Sequence, residues 1–83
     1  MKRYYFERFP LNVEKTIERW WIWELYEGGS KAHIIHSNGK GPWLMIISKQ
    51  EEIDSIKECG IGYETMDELL VAHFDDMLKD PVL

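Results

Sequence analysis

The chain has 83 residues, 45% of them hydrophobic and 30% charged, with a net charge of −5, which suits one folded globular domain and argues against a disordered chain. A chain of this length buries only about 60% of the surface that its unfolded form exposes, and with Cys59 as the single cysteine no internal disulfide reinforces the core. The charge is divided: residues 1–47 carry seven Lys/Arg against five Glu (+2), and residues 48–83 carry three Lys against ten Asp/Glu (−7).

The first element in chain order is "RYYFERF" (Arg3–Phe9), aromatic and followed by Pro10, which reads as a strand running into a turn. Glu7, Arg8 and Pro10 break the apolar stretch that a secretory leader needs. No run approaches the roughly 20 apolar residues that cross a bilayer. With one cysteine, a reducing cytoplasmic location away from membranes is the expectation. "LNVEKTIERWW" admits two readings. Asn12 can cap a helix with Val13, Ile17, Trp20 and Trp21 on one face, whereas Thr16, Ile17 and the aromatic cluster favour extended backbone. From Trp20 onward the helical period fails at Glu24, and the strand reading prevails.

"YEGGSKAHII" reads as a hairpin turning at Gly28-Gly29, and "HSNGKGPW" as a second turn at Asn38-Gly39. "WLMIIS" (Trp43–Ser48) is a continuous apolar run, as in a strand covered on both faces or placed centrally. "SKQE" (Ser48–Glu51) and "TMDE" (Thr65–Glu68) both fit the capping box that opens a helix. The first helix turns Ile53 and Ile56 inward and ends at Gly60. The second carries Met66, Leu69, Leu70, His73, Phe74 and Met77 at helical spacing, with Lys79 and Pro81 as its stop. The expected fold is a single α+β domain over residues 1–83. An antiparallel β-meander of three to four strands (1–48) precedes two C-terminal helices packed on one face (49–83), in two layers.

Chemistry-bearing residues are few. His33 and His36 on a regular strand point to opposite faces and cannot share an ion, and His73 reads as a buried core histidine. Cys59, at a helix C-terminus among glutamates, is a poor thiolate. "GGSK" and "NGKG" do not complete a phosphate loop. No catalytic constellation, metal site or cofactor is therefore expected. The informative segment is "ERWWIWELYEGG": on a strand, Trp21, Trp23 and Leu25 face one way, and Trp20, Ile22, Glu24 and Tyr26 the other.

If both helices cover the first set, the second lacks cover and forms a partner-binding face of Trp20, Ile22, Glu24 and Tyr26, with Arg19 beside it. A second copy of the chain or another protein is the expected partner. The alternative is single-stranded nucleic acid stacked on the aromatic face, with Arg3, Arg8, Arg19, Lys31 and Lys40 on the phosphates. A curled sheet, or a helix at 13–24, would bury the tryptophans differently. A second expected contact surface is the acidic one of the helices: Glu51, Glu52, Asp54, Asp67, Glu68, Asp75 and Asp76. Together these features read as a small non-enzymatic protein-binding protein: an inhibitor, an immunity-type protein or a regulatory subunit.

Overall fold

Alternating aromatic and β-branched side chains produce the extended segments, and the computed structural model shows how they pair. It describes residues 2–10, 13–14, 18–39 and 46–78. The expected Asn12 cap, the 43–45 part of the Trp43–Ser48 run and the Lys79–Pro81 stop lie outside them. Strands β1 (Tyr4–Pro10), β2 (Glu18–Tyr26), β3 (Lys31–Ser37), β4 (Ile46–Ile47) and β5 (Ile61–Tyr63) form one antiparallel sheet in the order β4-β3-β2-β1-β5. Helix α1 (Gln50–Cys59) lies between β4 and β5 in sequence, and α2 (Met66–Ala72) and α3 (Phe74–Met77) follow β5. The α+β class and the antiparallel sheet ahead of the helices are as expected, with β5 as an added edge strand.

The β2–β3 turn has Gly28 at φ 70° and Gly29 at φ 89°, as the glycine pair requires, and Glu27 joins them in the left-handed region at φ 51°. At the second turn Gly39 is not left-handed among the described residues. Asn38 shapes this turn instead: its side chain accepts from Trp20 N at 2.8 Å and donates to Glu18 O at 2.9 Å. Of the two expected capping boxes, the one at Thr65 forms, with Thr65 Oγ1 accepting from Glu68 N. The one at Ser48 does not, because α1 begins one residue later, with Lys49 at the N-cap and no side-chain cap. Gly60 continues in extended backbone (φ −90°, ψ 161°) straight into β5, so it is not a left-handed terminator. A Cβ on Gly62 would stand 2.6 Å from the Tyr5 ring, so that ring packs directly on the β5 backbone.

The expectation that both helices share one face is corrected. Ile53 and Ile56 of α1 pack with Tyr5, Trp23, Leu25 and Ala32, the odd-numbered side of β1 and β2. Leu69 of α2 packs with Phe6, Trp20 and Ile22 on the even-numbered side, joined by Met66 and Met77. The sheet is thus sandwiched between α1 and the α2–α3 unit. The short strand β5 brings this about. The chain crosses one face as α1, pairs with β1 at the far edge, and leaves that edge over the opposite face. Both sets of β2 side chains are too apolar to stay wet, since each large one gains roughly 1.5–3 kcal/mol on burial.

Candidate functional site

The register places one residue from every strand in a single row on the even-numbered face: Ile46, His33, Glu24, Tyr4 and Tyr63 are successive cross-strand partners. Trp20 and Ile22, expected to be exposed on this face, are 3% and 0% exposed, because α2 and α3 cover that half of the sheet. Glu24 and Tyr26 sit half-buried beyond the helices, and Arg19, half-buried, lies on the other side opposite Phe9. The five residues therefore do not form one open surface.

Glu24 is held within the protein. Arg3 Nη2 reaches it at 2.9 Å and His33 Nε2 donates to it at 2.9 Å, while Tyr26 packs against the His33 ring at 4.8 Å. The His33 hydrogen bond and the Arg3 charge hold the Glu24 carboxyl below its usual range, against the burial that would raise it. His36 shares this face with His33, which corrects the expectation of opposite faces. A bulge between the Ile22 and Trp23 pairings adds Ile35 to β3 and restores the phase, so His36 pairs with Ile22 and rests against Trp20 at 5.2 Å. Even so, no group of three or more His, Cys, Asp or Glu converges on a metal position among the described residues. Cys59 is exposed.

On the opposite face Glu7 is half-buried beside the indole N–H groups of Trp21 and Trp23. Burial raises its pKa, and the two N–H groups counter this in part without closing hydrogen-bond geometry.

The helical side over Trp20 is built around His73, which is buried at the junction of α2 and α3 and stacks on Phe6 at 4.0 Å. Its Nδ1–H donates to Asp76 Oδ2 at 3.0 Å, and with the ring neutral Nε2 accepts the Tyr63 hydroxyl at 2.8 Å. Arg8 Nη1 binds the other Asp76 oxygen at 2.8 Å. Burial alone would raise the Asp76 pKa, but the His73 hydrogen bond and the Arg8 charge outweigh it and hold the carboxyl low. The geometry of this relay fastens α2–α3 to β1 and β5. In the sequence His73 shows only as a member of an apolar stripe, and its partners come from 10 and 3 residues away.

The expected acidic surface divides between the two sides of the sheet. Glu51, Glu52 and Asp54 lie exposed on α1, Asp67, Glu68 and Asp75 lie exposed on α2–α3, and Asp76 turns inward. The same stretch, 67–78, also carries an exposed apolar ridge missed in the sequence. Leu70 and Phe74, placed in the core by their spacing, are 40% and 63% exposed, and Val71 and Leu78 are 82% and 66% exposed. The available signal was excess: residues 66–78 hold more apolar positions than one buried stripe can use. Beside the ridge, Tyr63, Asp67, Glu68, Val71 and Ala72 line an open cleft of about 490 Å³.

No protein-family model, curated protein or solved structure matches the chain. Among the described residues no helix is long and apolar enough to cross a membrane.

Proposed function

We propose that this chain is a small non-enzymatic protein-binding protein, acting in the cytoplasm as an inhibitor, an immunity-type protein or a regulatory subunit. Its contact surface is the outer side of α2–α3. One observation carries this reading: the α2–α3 unit is apolar on two sides. Met66, Leu69 and Met77 close the core, while Leu70, Val71, Phe74 and Leu78 remain open, with Asp67, Glu68 and Asp75 around them. A cluster of this kind presents on the order of a few hundred Å² of apolar surface, the size of the largest patch on a typical soluble monomer, which is often functional. The aromatic anchor is Phe74, and the carboxylates orient the approach.

Base stacking finds less support, since Trp20 and Trp23 are core residues and the exposed apolar ridge is bordered by carboxylates that repel phosphate. The test is affinity capture from native extract with the wild-type chain and with a Val71→Ser/Phe74→Ser variant. A partner retained by the first and lost by the second, with unchanged circular dichroism, is the expected result. Equal retention by both would refute the surface assignment.

A further inference from the structure

We infer that the partner inserts a lysine or arginine side chain into the cleft between β5 and α2, next to the apolar residues that meet the ridge. The inference rests on the reading of α2–α3 as the contact surface and names what that surface recognises. The cleft is shallow, its lining is mainly apolar, and it is formed by Tyr63, Val71, Ala72, Asp67 and Glu68, the last two being exposed acidic residues at its border. An apolar trough with carboxylates fits a side chain whose methylene stem lies on hydrocarbon while its cationic head stays at the anionic rim.

The walls are set in advance. Tyr63 is fixed by the hydroxyl bond to His73, which is fixed in turn by Asp76 and Arg8. Glu68 is oriented by the Thr65 hydroxyl, which donates to its carboxylate at 3.2 Å. Asp67 is exposed and engages no other group among the described residues.

Charge decides among occupants. Two copies meeting ridge to ridge about a two-fold axis would set Asp67, Glu68 and Asp75 against their own equivalents, and like charges brought together oppose such a dimer. The helical half offers little to offset this, with Lys49, Lys57 and Lys79 as its only cationic residues. A metal ion finds no set of three ligands here among the described residues. A polypeptide with a cationic residue flanking apolar anchors meets both the trough and the ridge.

Two helical peptides of equal length serve as probes, each with the same leucine stripe, one flanked by lysines and the other by glutamates. Binding is followed by amide chemical shifts of the labelled protein. The lysine peptide is expected to bind, with shifts concentrated at Tyr63, Asp67, Val71, Ala72 and Phe74, and the glutamate peptide is expected not to. In an Asp67→Asn/Glu68→Gln variant the lysine peptide should bind roughly tenfold more weakly and lose most of its salt dependence, as befits loss of a charge-paired contact. Equal shifts at Glu51, Glu52 and Asp54 of α1 would show diffuse attraction to negative charge and overturn the inference. Undiminished binding by the variant would do the same.

The native partner separates the two readings. If Val71→Ser/Phe74→Ser loses it while Asp67→Asn/Glu68→Gln keeps it at full affinity, the contact surface stands and the cationic side chain falls. If the ridge variant keeps it, the surface itself falls.

Discussion

His73 uses both ring nitrogens inside the protein, and that arrangement sets what its neighbours are worth. Replacing Tyr63 by Phe leaves a buried imidazole acceptor without a donor, a loss of about 1–2 kcal/mol, measurable as a lower urea midpoint with an unchanged slope. Asp76 and Glu24 both have depressed pKa values in the folded chain, so their ionised forms favour folding. That stabilisation is complete above the unfolded carboxylate pKa, near ~4, and disappears as pH falls through the folded values. An acid titration should therefore show stability falling from about pH 4 downward, and Asp76→Asn should flatten part of the fall. Glu7 has the opposite sign, because burial raises its pKa and ionising it opposes folding. Glu7→Gln should raise thermal stability at neutral pH, and the gain should vanish once pH drops below the unfolded pKa of about 4.3.

At the scale of elements, the β2–β3 turn and α2 were opened by residues whose physics is local. Gly28 sits at φ 70° with open space where a Cβ would go, so Gly28→Ala tests backbone conformation alone and should destabilise by about 1–2 kcal/mol. Thr65 and Glu68 formed a cap as their spacing requires, because that bond depends on four consecutive residues. The helical stripe of α2–α3 was legible as amphipathic, but its inward phase was not. Leu69, His73 and Met77 point in while Leu70 and Phe74 do not, and apolar residues on both sides leave the period without a single direction. Leu69 is fully buried under Trp20 and Ile22. Leu69→Ala should cost about 2–5 kcal/mol and loosen α2–α3, seen as a red shift in tryptophan emission as Trp20 meets water.

For the whole molecule, the arrangement separates stability from recognition. The core lies on both faces of one sheet, whereas the exposed ridge residues sit on the outside of α2–α3 and contribute little to folding. Val71→Ser and Phe74→Ser should each change unfolding free energy by no more than about 0.5 kcal/mol, as exposed substitutions do, while abolishing partner capture. A large drop in melting temperature would show instead that the ridge is part of the core.

Local physics carried a good share of this protein into its sequence: the two strands flanking the Gly28-Gly29 turn, the Thr65 cap, the inward Ile53 and Ile56, and the acidity of the second half. Each depends on residues within a few positions of one another. Tertiary structure decided what sequence spacing leaves open. β5 carried the chain to the far edge, so the helices took opposite faces and Trp20 and Ile22 became core. The bulge at Ile35 returned His36 to the face of His33. Once α2 was committed to cover Trp20, its surplus apolar residues could only face outward, and Leu70, Val71, Phe74 and Leu78 became exposed where Trp20 and Ile22 had been expected to be.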